Sequence, residues 1–308
     1  MWRYIRARVL GAIPILLGMS LIVFLFLYLI PGDTARLVAG PSADRATVES
    51  IRTEMGLDAP WYTQYLRFFS RAIRGDLGTS FQSRKPVVQE IGVVLKRTLQ
   101  LTVVVQLLSF FIGGTLGILS ALWRKSVLDK VVMAFSVLGL SLPQFWSALL
   151  FQMFFCARLG LLPPSGYQMG WDIYIVLPAL TLTWPSAGLM ARITRVAVVD
   201  VVGQDYVRTA RAKGINPLKI AVKHIARNAL IPMVTLVGTD ISRMIGGMIM
   251  IEVIFTWPGM GKYVYDALIA KDFPAFQAST LVIAALIIGI NILVDITYGL
   301  IDPRISYE

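Results

Sequence analysis

The sequence predicts an all-α polytopic membrane protein with six transmembrane helices and a small extracytoplasmic subdomain between the first and second. Three observations predict it. Of 308 residues, 56% are hydrophobic and the mean hydropathy is +0.69, whereas soluble domains are about 45–50% apolar. The excess is gathered in six blocks, each near the roughly 20 residues that a helix needs to cross the hydrocarbon core. Lys and Arg collect in alternate short connections between those blocks, the asymmetry that orients membrane proteins.

The first block is Val9 to Ile30. The preceding MWRYIRARVL is basic like the start of a signal peptide, but no small-residue cleavage site follows, so the block reads as a retained signal anchor. Pro31, Gly32 and Asp33 end it. Residues 31–97 are polar but patterned. Arg45–Met55 and Trp61–Ile73 have amphipathic helical spacing, broken by Gly56, Pro60, Gly75 and Gly78. The second block is Leu99–Leu122, with Gly113, Gly114 and Gly117, and a basic loop, Trp123–Lys130, follows. The third, Val131–Ala157, is interrupted by Pro143. Pro163, Pro164 and Gly166 mark Leu159–Tyr167 as turn structure. The fourth block is Tyr174–Val199, the fifth Leu230–Phe255 and the sixth Ala278–Ile301, and Trp257–Gln277 reads as a loop. The chain thus divides into residues 1–30, 31–97 and 98–308, the last with a basic segment over 200–228.

Six spans put both termini on one side. Arg3, Arg6 and Arg8 precede the first, Arg124, Lys125 and Lys130 follow the second, and Arg208, Arg211, Lys213, Lys219, Lys223 and Arg227 lie between the fourth and fifth. The opposite short connections hold Arg158, Lys262 and Lys271. Both termini are therefore expected in the cytoplasm and residues 31–97 outside, in an inner (cytoplasmic) membrane.

The net charge of +11 reads as this cytoplasmic excess in contact with membrane lipid, and not as a nucleic-acid surface. One cysteine, Cys156, and one histidine, His224, exclude a disulfide within the chain and a His/Cys metal cluster. Gly259-Met260-Gly261-Lys262 lacks the first glycine and the Ser/Thr of a phosphate-binding loop. No catalytic constellation is present, so the chain is not expected to be an enzyme.

Two groups of residues remain. The first is polar residues inside apolar blocks, where burying charge is costly. Asp240 and Arg243 sit at i, i+3 on one face of the fifth block, where they can pair. Glu252 lies near its outer end, and Asn291 and Asp295 sit at i, i+4 on the sixth. An interhelical clamp, a pathway lining and a proton relay all fit. The second is the basic segment Asp205–Pro232. Val207–Lys213 is helix-forming, Gly214 stops it, and Asn216-Pro217 opens a second short helix, Leu218–Arg227. A knob that seats in a soluble partner and a basic loop held to anionic lipid both fit.

The segment resembles the cytoplasmic loop of bacterial ABC importer permeases, in which E-A-A-x3-G inserts into a cleft of the ATPase. Arg208-Thr209-Ala210 stands at E-A-A and Gly214 at the glycine, while His224–Arg227 departs from the general I-x-L-P and RNALIP runs on to Pro232. With LIPGD (Leu29–Asp33), MGLD (Met55–Asp58), GDLGTS (Gly75–Ser80), SLPQF (Ser141–Phe145), FTWPGMG (Phe255–Gly261) and DFPAFQ (Asp272–Gln277), nearly the whole chain resembles the first of the paired permeases in the dipeptide/oligopeptide/nickel branch. LVAGPSAD (Leu37–Asp44) is similar to dipeptide- and glutathione-type members.

The resemblance implies the type I ABC importer permease fold and a subunit forming half of a pathway for peptides, with a nickel chelate as the alternative cargo. It implies a homologous second permease, two ATP-binding subunits that hold ATP and Mg, and an extracytoplasmic solute-binding protein. This chain itself would hold no cofactor. Arg208, Thr209, Ala210, Arg211, Ala212, Lys213 and Gly214 would contact the ATPase. A proton-coupled secondary transporter acting alone is the other class, and it requires inverted repeats that the sequence does not show.

Overall fold

The computed structural model describes residues 2–29, 34–40, 42–54, 56–168, 172–220 and 225–301. They are mostly helical, with one isolated antiparallel bridge between Thr79 and Pro86. In chain order the helices are α1 (Trp2–Leu29), α2 (Thr34–Ala39), α3 (Arg45–Glu54), α4 (Trp61–Ile73), α5 (Val87–Leu108), α6 (Gly114–Leu122), α7 (Val127–Ser141) and α8 (Gln144–Phe151). They continue with α9 (Val176–Val202), α10 (Asp205–Ala212), α11 (Pro217–Ile220), α12 (Arg227–Ile254), α13 (Met260–Ile269) and α14 (Phe273–Ile301). Among the described residues, five helical stretches are long and apolar enough to cross a membrane: Arg8–Phe26, Val87–Leu122, Ile173–Val202, Asn228–Ile254 and Phe273–Val294. A sixth span exists only if a bent pair counts as one.

That pair is the third apolar block. α7 ends at Ser141, Leu142 is extended at ψ 136°, and α8 starts at Gln144, with a bend of 111° between Val127–Ser141 and Gln144–Arg158. Pro143 causes it, because its ring disfavours helical conformation in the residue before it and it has no N–H to donate. The block is two helical arms joined at Pro143, the interruption that the sequence places there.

Two further expectations change, and a third falls partly outside the described residues. The helix that carries the second span begins at Val87, well before Leu99, and runs through a π-helical turn at Ser109–Gly113 into α6. Glu90, Lys96 and Arg97 lower the local hydropathy, but Val87, Ile91 and Val94 recur at helical spacing. The stretch Trp257–Gln277 is not a plain loop, since it contains α13 and the start of α14. The second basic helix is described only over Pro217–Ile220; residues 221–224, with Lys223 and His224, lie outside the described residues, and Arg227 opens α12.

The chain forms two compact units. One comprises Trp2–Arg97 with Pro258–Gly289, the other chiefly Thr98–Trp257 with the chain from Ile290. In the first, Val87 and Ile91 of α5 form a core with Met260, Ala267, Ala275 and Ala278. Asp272 ties its turns together. Its carboxylate accepts from Ser80 Oγ, from the Gln82 N–H at 3.2 Å and from the Ala275 N–H that opens α14. The GDLGTS and DFPAFQ stretches therefore meet. Tyr263 donates to Glu90 Oε2 at 2.8 Å, and burial together with that carboxylate pushes the Tyr263 hydroxyl pKa up.

In the second unit, α9 packs against α6, α7, α8 and α12. A Cβ built on Gly113 would lie 2.5 Å from the Ala187 carbonyl oxygen, and one on Gly117 would lie 2.5 Å from that of Ala191. The two glycines, four residues apart, let the backbones touch, as small residues do between membrane helices. The main core joins Leu101 and Val105 to Leu177 and Leu182 of α9 and to Met248 and Ile251 of α12. Trp257 closes it, 1% exposed, with its ring edge-to-face on Tyr167 at 5.0 Å.

Candidate coupling segment and buried ion pairs

The basic segment follows directly from α9. α10 begins after Gln204, whose backbone is extended, and carries Asp205 in its first turn and Arg211 in its last, the arrangement that complements the helix dipole. Its end is a complete Schellman motif. The Gly214 N–H bonds the Arg211 carbonyl at 3.0 Å and the Ile215 N–H bonds the Ala210 carbonyl at 3.3 Å. Gly214 has φ +67°, the left-handed region where a side chain is strained, and nothing lies within 4 Å of where its Cβ would be.

Two residues seat α10. Val207 and Ala210, one turn apart, are buried in a cluster with Val198, Ile220, Ile225 and Ala229. The other expected contact residues, Arg208, Thr209, Arg211, Ala212, Lys213 and Gly214, are all exposed. Ala210 thus points into this chain, and the cationic side of the helix points out. Arg208 makes a 3.9 Å ion pair with Asp205, worth at most about 1 kcal/mol at such exposure.

The polar residues of α12 and α14 occupy separate settings. Asp240, 4% exposed, accepts from Arg243 Nε at 3.1 Å and from Gln106 Nε2 of α5 at 3.0 Å. The Arg243 side chain is 45% exposed. Ser242 donates to Asn291 Oδ1 at 2.7 Å. Asp295 lies one turn further along α14, and its side chain is outside the described residues. Glu252, fully buried, accepts from Thr98 Oγ1 at 2.7 Å.

One further ion pair escaped the sequence reading. Asp129, near the start of α7, accepts from Arg195 Nε at 2.7 Å and Nη2 at 2.9 Å, from the Lys125 N–H at 2.9 Å and from Ser120 Oγ. A bidentate guanidinium with two more donors saturates the carboxylate. The pair ties α6, the following turn and α7 to α9 at the level where α9 runs into α10. The available signal was Arg195 itself, a cation inside the fourth apolar block that requires a partner.

Long apolar helices that pack through glycine-lined contacts, with a capped basic helix between two of them, are those of a multi-pass membrane protein. The chain belongs to the family described as binding-protein-dependent transport system inner membrane component, which matches residues 113–307. The N-terminal component of the same systems matches residues 1–103. It is the permease of an ABC importer, a multi-pass protein of the inner membrane. It is 42% identical over 308 residues, all of both chains, to the glutathione transport system permease protein GsiC of Escherichia coli O6:H1 and to that of strain K12. The Salmonella paratyphi A protein of the same name is equally similar over the same span.

Among solved structures, the inward-facing MetNI methionine ABC transporter superposes with TM-score 0.60 at 19% identity, over 70% of this chain and 98% of that one. An amino acid ABC transporter solved with histidines gives TM-score 0.52 at 16% identity, over 68% and 93%. These two establish the type I importer permease fold.

Proposed function

We propose that this permease imports peptide-like cargo, glutathione or short peptides, as half of a pathway completed by a homologous second permease. Two ATP-binding subunits hold ATP and Mg on the cytoplasmic side, where both termini lie. A solute-binding protein delivers cargo to the outer face, which includes residues 31–97 and Trp257–Gln277. The full-length identity to glutathione permeases supports the cargo class.

The observation that carries the coupling role is α10, a helix seated by Val207 and Ala210 with its cationic side exposed and its end locked at Gly214. A rigid helix joined to α9 transmits displacement, as a flexible loop does not. When the ATPase subunits close, α10 moves with them and α9 with α10, which rocks the spans and alternates access. Arg208–Gly214 supply the contact, and ATP chemistry stays on the partners. Asp240, Arg243, Asn291 and Asp295 are the polar groups that line the pathway or clamp its helices.

The test is ATP-dependent uptake of labelled glutathione by the reconstituted complex with its binding protein, for parent and Gly214→Val. The parent should take up label that unlabelled glutathione or dipeptides compete away. The variant should insert normally but release the ATPase and transport nothing. Competition by a nickel chelate alone would reject the cargo class, and normal transport by Gly214→Val would reject α10 as the coupling element.

A further inference from the structure

α4 is an amphipathic helix only half of whose apolar side is used. At 3.6 residues per turn, every apolar residue from Trp61 to Ile73 falls in one arc of about 160°, and Thr63, Gln64, Arg67, Ser70 and Arg71 fill the rest. Part of the arc rests on α1. Tyr65 Oη and Ser20 Oγ are 2.9 Å apart, the Tyr65 ring meets Phe24 at 5.5 Å, and Phe68 stacks on Phe24 at 6.3 Å. The remainder is bare: Tyr62, Leu66 and Ile73 are 54%, 61% and 70% exposed.

The contact with α1 fixes what faces that bare strip. Arg8–Phe26 of α1 is long and apolar enough to cross a membrane, and the helix runs on to Leu29. At 1.5 Å per residue Ser20 and Phe24 are about 8–14 Å below that end, a range that overlaps the roughly 5–10 Å at which interfacial helices bury their apolar face. The polar side supplies cations at the matching position. The Arg67 guanidinium lies against Gly56, which leaves Arg71 and Arg74 exposed near the C-terminal end. The helix stops where the strip stops, at Gly75 with φ +81°.

We propose that α4 is an interfacial helix, with Tyr62, Leu66, Phe69 and Ile73 in the acyl boundary of the leaflet and Arg71 and Arg74 on the phosphates of anionic lipid. Aromatic rings at the headgroup level and arginines over phosphate are the chemistry that such a surface selects. α4 then anchors the segment after α1 to the bilayer, so that it does not move freely with bound partner proteins. The inference goes beyond the transport reading and holds whichever face α4 occupies.

The test uses the whole transporter, cysteine-free, in nanodiscs of phosphatidylethanolamine and phosphatidylglycerol. A nitroxide is attached at Leu66→Cys or, in the middle of the polar side, at Arg67→Cys, about 100° round the helix. The label at 66 should collide more with oxygen than with a water-soluble nickel chelate, and the label at 67 should do the reverse. Equal, water-like behaviour at both positions overturns the proposal. So does a label at 66 shielded from both reagents, which would mean that a protein covers the strip. Arg71→Gln with Arg74→Gln should lower phosphatidylglycerol retained by the complex in native mass spectra. Unchanged retention overturns the headgroup contact.

Discussion

Replacing Asp129 with Ala removes the carboxylate that fastens the end of α6 and the start of α7 to α9. The side chain is 7% exposed and that of Arg195 23%, so the substitution leaves a largely buried guanidinium without its counter-charge. It also leaves the Ser120 hydroxyl and the Lys125 N–H without their acceptor. An orphaned buried charge costs about 3–5 kcal/mol. Partial exposure of Arg195 puts the cost near the lower end, about 3 kcal/mol, a shift of roughly 100-fold in population and of the order of 10 °C in melting temperature. Asp129→Ala with Arg195→Met removes both charges and should recover at least half of the loss. Thermal stability of the detergent-purified chain, followed by size-exclusion chromatography after heating, reads both. An Asp129→Ala protein as stable as the parent, or a double variant no better than the worse single, would refute the reasoning.

Gly117→Ala should lower the melting temperature through overpacking, worth about 1–3 kcal/mol, because the added methyl meets the Ala191 carbonyl at 2.5 Å. Gly11→Ala, with open space around it, is the control and should have no such effect. Asp240→Asn or Arg243→Gln alone should assemble worse than the two together, since each single leaves one charge of the pair uncompensated; yields of the purified complex compare them. The pKa of the Tyr263 hydroxyl is raised above its ordinary 10.0. The folded protein therefore keeps its proton while the unfolded chain ionises, and stability falls as pH rises above about 10. Melting curves between about pH 9 and 11 should be flatter for Tyr263→Phe than for the parent, and parallel curves would contradict this.

Hydropathy made the long spans legible because five of them are single helices whose apolar residues face lipid or core. It misjudged those whose ends carry charge. α5 extends to Val87 through Glu90 and Lys96 because one face of those turns is apolar and buried, which an average over all residues hides. α13 was concealed the same way, its half-buried Lys262 and exposed Asp266 lying beside buried Met260, Val264 and Ala267. Pro143 was visible as an interruption, but nothing in the sequence sets a bend of 111°, which depends on what each arm packs against. The Gly214 stop was legible because its chemistry is local, and so was the spacing that pairs Asp240 with Arg243. Asp129 and Arg195 are far apart in sequence and meet only through the packing of α6, α7 and α9. Gln106 on Asp240 and Ser80 on Asp272 escaped for the same reason.

The most direct measurement of the central claim, that α10 is the contact with the ATPase, is photocross-linking in membranes that contain the whole transporter. A benzophenone amino acid is introduced at Arg211 in α10 and, separately, at Ile269 in α13, which is 67% exposed and belongs to the opposite face of the membrane in the proposed topology. The account predicts adducts with the ATPase subunit from position 211 alone, and adducts from 269 only with the solute-binding protein. ATPase adducts from 269, or none from 211 while uptake remains intact, would contradict it.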